Sequence, residues 1–287
     1  MVTGSGIKTN LKLFGLLSIL TGLFLAVGFA VGGETGLVMA LIFAGVFNFG
    51  SYWFSDKIVL KMYGAEPISE EDNPELHSTL ARLSENAGIP KPRLYRNSMA
   101  VPNAFATGRS PKKGVVCVTD GLMEQLNDKE VAGVIAHELA HIKNRDTLIN
   151  AAVATIAGAV AVLAEMAFWG AMFSRDDDLG EMVGSLAFMI VTPIIATLIR
   201  LSISRKMEYR ADSSAVRIQG NREALQSALK KISSSNKHSK YKASKIQESG
   251  SNLFIENPFS GDRLTGYFST HPPLENRLEN IRNTDVK

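Results

Sequence analysis

The chain has 287 residues, with 31 Lys plus Arg against 28 Asp plus Glu and a formal net charge of +3. Its 45% apolar and 21% charged residues lie far from the disordered class, and near-neutral charge offers no basic face for a nucleic-acid binder. The mean hydropathy of +0.05 averages four long apolar blocks with a polar remainder, which excludes a soluble one-domain enzyme.

Residues 13–33 and 35–55 are each 21 residues without a charge. As helices each reaches about 31 Å, enough to cross a hydrocarbon core of about 30 Å. Only Glu34 separates them, so a tight helical hairpin is expected. The first span is too long for a cleaved signal and a second follows at once, so a retained anchor is expected.

The polar stretch 57–146 opens with a helix signal: Asn73 as N-cap, Pro74 at the first helical position, Leu76, Leu80 and Leu83 on one face, and Gly88 as a stop. Strand-like runs at 93–97, 103–107 and 115–119 follow. The lone cysteine, Cys117, lies in the last of these, where it reads as core packing, and it cannot close an internal disulfide. A second helix begins near Asn127, with Glu130 three residues on to complete a capping box, and continues through His141.

That helix carries the strongest signal in the chain, His137-Glu138-Leu139-Ala140-His141. Residues at i and i+4 share a helical face, so two imidazoles can grip one tetrahedral ion. Glu138, about 100° around the helix, lies beside the ion and can act as general base toward water that the metal activates. A fully ligated structural zinc would want more cysteines than the one present.

Two more apolar blocks, 147–174 and 182–199, read as a second hairpin. The first contains Glu165, expected at the outer interface. Lys8, Lys12, Lys57, Lys61, Lys143, Arg145, Arg200, Arg205, Lys206 and Arg210 all fall on one side of the four spans. The positive-inside bias therefore puts both termini and the polar parts in the cytoplasm.

A catalytic zinc needs a third protein ligand. His77 reads as an exposed or ordinary polar residue, and His238, in the Ser/Lys-rich stretch, as one that points into water. Glu208 and Asp212, again i and i+4, are better placed: Glu208 as the ligand, Asp212 holding a ligand histidine by its other ring nitrogen. A helix is expected over 221–232, then a mobile loop over 233–251, rich in Ser and Lys. A last helix is expected after Pro272-Pro273. His271 and Arg277 can both donate to the oxyanion that proteolysis builds, and Arg277 could instead brace Asp212.

The motif 137–141, the run 204–212, the run Thr270-His271-Pro272-Pro273-Leu274-Glu275-Asn276-Arg277 and the stretch Pro102-Asn103-Ala104-Phe105-Ala106 together resemble the HtpX membrane metalloproteases, relatives of the CAAX prenyl proteases. The resemblance implies a zinc endopeptidase of the cytoplasmic membrane acting on damaged or misfolded membrane proteins. It assigns one Zn2+ to His137, His141 and Glu208, with Glu138 as base, and suggests Asn103, Ala104 and Phe105 as a substrate strand. The expected architecture is a membrane α-helical protein, four transmembrane helices in two hairpins, with a cytoplasmic, mainly helical α+β metalloprotease domain. Its parts are an anchor hairpin (1–56), the zinc-helix half (57–146), a second hairpin (147–200) and the third-ligand half (201–287). Expected partners are the lipid bilayer and misfolded membrane protein or peptide substrates, with no nucleic acid. A prenyl-protein processing protease and a zinc-stabilised scaffold are the rival readings; four spans argue against the first, which is built on more.

Overall fold

The computed structural model describes residues 4–156, 205–238, 253–255 and 272–286. Residues Gly4–Met62 form α1, helical over its length but not a single straight rod. Asn48 Nδ2 donates to Thr21 Oγ1 at 2.9 Å, and the Phe24 ring lies 5.2 Å from Phe43 and 5.8 Å from Phe47. A straight helix would hold Thr21 and Asn48 about 40 Å apart. The chain therefore folds back on itself, and Gly33, at φ +58°, marks the reversal. Glycine alone enters that left-handed region without a Cβ penalty. The turn is thus one residue before the Glu34 expected from the charge pattern. Phe14, Ile19, Ile42, Val46, Phe49 and Trp53 stay exposed on the hairpin, and Gly33–Met62 is long and apolar enough to cross a membrane. Most of the third block and all of the fourth, including Glu165, lie outside the described residues.

After α1 come β1 (Glu66–Pro67), α2 (Pro74–Ala87), β2 (Arg93–Asn97), β3 (Ala104–Thr107), a 3-10 turn (Pro111–Lys113), β4 (Val115–Thr119) and α3 (Asp120–Gln125). The sheet order is β1-β2-β4-β3, with β2 and β4 parallel and both outer pairs antiparallel. The caps of α2 form as the residue types dictate: Asn73 accepts from the Leu76 N–H, and Gly88 closes the helix in the left-handed region. The third strand starts at Ala104 rather than Asn103, because Asn103 turns its side-chain oxygen to the Ala104 N–H while its carbonyl accepts from the Thr119 N–H.

The central element is α4, Asp128–Asn144, with the Asn127–Glu130 capping box formed in both directions. Every residue from 130 to 142 is buried, the mark of a helix surrounded on all sides. It packs against α2, β3, and the two helices of the second half, α6 (Arg205–Gln219) and α7 (Arg222–His238). Leu80, Leu83, Val116, Ile135, Leu139 and Leu229 join these elements in one core. Gly133 lets α7 come close to α4, since a Cβ there would lie 3.2 Å from the Leu225 backbone. Helix α5 begins at Asp146, apolar through Ile156, and α8 (Leu274–Arg282) follows the two prolines.

Two expectations change. The helix expected over 221–232 runs on to His238, so the first six residues of the expected Ser/Lys loop are helical. The reason is packing: Ile232 and Ser233 are both buried, and tertiary contact outweighs the weak helix propensity of serine. His77 is buried rather than solvated, its Nε2 2.9 Å from the Ile68 carbonyl. Cys117 is buried in the core beneath Phe105 and Phe254, where desolvation raises its thiol pKa.

Candidate metal centre

His137 and His141 lie one turn apart on α4, and Glu208 comes to them from the first turn of α6. The two Nε2 atoms are 3.1 Å apart, Glu208 Oε1 is 3.4 Å from His141 Nε2, and Glu208 Oε2 is 3.6 Å from His137 Nε2. Zinc bonds of about 2.0–2.1 Å in a tetrahedral array put ligand atoms about 3.3–3.4 Å apart. The three donors thus have the spacing that one small cation requires, and all three residues are buried.

The other ring nitrogens support the same conclusion. His137 Nδ1 lies 3.0 Å from Asp212 Oδ1, and His141 Nδ1 lies 3.3 Å from Asp146 Oδ2. Carboxylates at both Nδ1 atoms hold the ring protons there and leave the Nε2 lone pairs converging. Two lone pairs 3.1 Å apart repel unless positive charge lies between them. Without a metal that charge is a proton. Burial works to lower the His137 pKa, but hydrogen bonds to Asp212 and Glu208 prevail and raise it to about 9. His141 moves upward too, against its own burial, chiefly through Asp146.

Glu138 faces the adjoining side of the same helix, 3% exposed. Desolvation raises its pKa most, opposed by the two histidines; Glu208 adds to the rise, and a backbone hydrogen bond with Ala106 of β3 opposes it. A carboxyl so held is a better proton acceptor than one in water. Asp212 is fully buried and yet stays ionised. Burial alone would raise its pKa, but the charge and hydrogen bonds of Arg277 lower it. Arg277 is itself buried, donating from Nε and Nη2 to Asp212 at 2.9 and 2.7 Å and from Nη1 to the Ile255 carbonyl at 2.9 Å.

The structure therefore brings His137, Glu138, His141, Glu208, Asp212 and Arg277 together. His271 lies outside the described residues. Asn103, Ala104 and Phe105 are all buried, and it is the next residue, Ala106, that lines the cleft; Asn103 Oδ1 accepts from the Ile255 N–H at 3.0 Å. Sequence reasoning missed Leu253, Phe254 and Ile255, which line the cleft beside Ala106, Glu138 and Glu208. The Phe254 ring meets Tyr63 at 5.0 Å and Phe105 at 6.0 Å. An apolar triplet next to a Ser/Lys-rich stretch was the available signal. It also missed Asp146, an acidic residue at the edge of an apolar block five positions beyond the second histidine.

A buried donor set of two imidazoles and one carboxylate, with a second acidic residue, Glu138, beside it and none of the cysteines of structural sites, defines a metallopeptidase-type centre. Residues 70–285 match the model of Peptidase family M48, and the chain belongs to that family. It is a metalloprotease of the HtpX type. The Protease HtpX homolog of Persephonella marina is 46% identical over 93% of this chain and 94% of its own length. Protease HtpX of Legionella pneumophila (strain Philadelphia 1) is 44% identical over 95% and 98%. Among solved structures, S. mikatae Ste24p matches with a TM-score of 0.49 at 18% identity, over 97% of this chain and 66% of that one.

Proposed function

We propose that this protein is a membrane-anchored zinc endopeptidase that cleaves damaged or misfolded membrane proteins at the cytoplasmic surface. The observation that carries the reading is the convergence of His137, His141 and Glu208 at the spacing of a tetrahedral cation, with Glu138 alongside. Zinc, when bound, acidifies water and polarises the scissile carbonyl. Glu138 takes the proton of the attacking water on its carboxylate and returns it to the departing amide nitrogen. Asp212 holds His137 by Nδ1, and Arg277 keeps Asp212 ionised and in place. The outer place of β3 in the sheet order supports Asn103, Ala104 and Phe105 as the segment along which an extended peptide would lie. His271 donates to the carbonyl oxygen as negative charge builds there.

Location supports the substrate class. The apolar helix α5 starts five residues after His141, and the exposed apolar hairpin of α1 suits burial in lipid. Both support a cleft close to a bilayer, and the reading takes residues 57–146 and 201–287 as two halves of one catalytic unit. The motif resemblance to HtpX metalloproteases supports the quality-control role. The test is casein and membrane-protein cleavage by the detergent-purified chain, with and without chelator. Glu138→Gln should retain zinc and lose proteolysis, since amide and carboxylate match in size but only the carboxylate takes the proton. Turnover by a zinc-loaded Glu138→Gln chain would overturn the general-base role.

A further inference from the structure

The metal centre has two histidines, and the sequence pattern supplies a carboxylate partner for only one of them. Asp212 reaches His137 because it stands one turn beyond Glu208. His141 has a different partner. Asp146 is 3% exposed, and its Oδ2 lies 3.3 Å from His141 Nδ1. Arg210 Nη2 donates to both oxygens of Asp146, at 2.9 Å to Oδ1 and 3.0 Å to Oδ2.

The backbone explains how Asp146 gets there. Five residues along a continuous helix would set it about 140° away from His141. Instead α4 ends at Arg145 in the left-handed region, φ 62°, with its N–H returned to the His141 and Ile142 carbonyls. Arg145 is the one non-glycine residue at positive φ among the described residues. Such a conformation is unfavourable for a residue with a Cβ and persists where the surroundings enforce it. Here it swings the chain so that the first residue of α5 points back at the second histidine.

We propose that Asp146 and Arg210 form a second ligand brace: Asp146 is a positioning residue for His141, and Arg210 locks Asp146 to the helix that carries Glu208. The inference rests on the metal-centre reading above. Asp146 fixes the Nδ1–H tautomer of His141 and aims its Nε2 at the ion, the task that Asp212 performs for His137. Arg210 stands two residues after Glu208 on α6, so the Asp146–Arg210 pair ties the α4–α5 junction to the helix that carries Glu208 and sets the distance between His141 and Glu208. The two braces differ in setting. Arg277 is sealed in the core, whereas the Arg210 side chain is 46% exposed. The outer brace is therefore the weaker one and the more readily screened by salt.

The experiment measures zinc affinity of the full chain in detergent by competition with a chromophoric chelator, alongside the thermal midpoint in excess chelator. Asp146→Ala should weaken zinc binding about 10–100-fold, the scale of losing a partner of a ligand histidine. Asp146→Asn should recover most of that loss, because its amide oxygen still accepts from Nδ1–H. Arg210→Ala should fall between wild type and Asp146→Ala, and more so at low salt than at high. Zinc affinity within twofold of wild type in Asp146→Ala, with whatever change in chelator-treated midpoint, would make Asp146 a plain helix-end residue and overturn the proposal. Equal losses in Asp146→Asn and Asp146→Ala would overturn it too. If Asp146→Ala does not fold, Asp146→Asn and Arg210→Ala decide: an unchanged affinity in Arg210→Ala refutes the brace. Failure of the wild-type chain itself to bind zinc would instead refute the metal-centre reading.

Discussion

Replacing Arg277 by leucine tests how the buried side of the centre is held. Arg277 is 3% exposed and Asp212 is fully buried. The substitution removes the two hydrogen bonds to Asp212 and the one to the Ile255 carbonyl. It leaves a carboxylate in the core with His137 Nδ1, 3.0 Å away, as its remaining cationic contact among the described residues. Breaking one side of a buried ion pair costs about 3–5 kcal/mol. For a domain of this size that lowers the thermal midpoint by roughly 6–20 °C. Without Arg277 to oppose burial, Asp212 moves toward its protonated form and loosens its hold on His137, so zinc affinity should fall about 10–100-fold as well. Thermal unfolding in detergent with excess chelator reads the first effect, and chelator competition reads the second. Adding Asp212→Asn to Arg277→Leu removes the stranded charge and should return part of the lost stability, a coupling of about 0.5–3 kcal/mol. A single Arg277→Leu chain with a midpoint within about 2 °C of wild type and unchanged zinc affinity would refute this account.

Three further outcomes are expected. Glu208→Ala should lose metal affinity itself, and equal zinc content by elemental analysis after extensive dialysis would contradict its role as a ligand. Glu130 is held below its ordinary pKa: desolvation opposes this, but hydrogen bonds from Lys231, Ser227 and the Asn127 N–H outweigh it. A lowered folded-state pKa contributes stability above the unfolded value of about 4.3 that is lost as pH falls through the folded value. Glu130→Gln should therefore be less stable than wild type at pH 7, with the gap closing in acid; a gap constant down to pH 3 would sink the linkage. A reporter fused after Lys61 should be active in the cytoplasm, and one active only when exported would overturn the orientation drawn from charge bias.

Residue pattern alone revealed much of this protein. The His137–His141 and Glu208–Asp212 pairs were visible because helical periodicity places i and i+4 on one face whatever lies around them. The capping residues Asn73, Gly88, Asn127 and Glu130 were visible for a similar reason, since each acts on backbone groups within four positions. The hairpin of α1 followed from two uncharged runs parted by the single charge of Glu34. What adjacent residues could not disclose is how these local pieces meet. The bracing of Asp212 by Arg277 was one of two roles open to that arginine, and the structure shows it; the contacts Ile255 to Asn103 and Arg210 to Asp146 join residues 152 and 64 positions apart, and no periodicity reaches that far. The extension of α7 to His238 was hidden because serine and lysine are indifferent to helix or coil until a core forms beneath Ile232 and Ser233. Asp146 was hidden for a subtler reason. Its approach to His141 depends on one left-handed residue, Arg145, whose conformation is unfavourable locally and is set by the packing of the helices on either side.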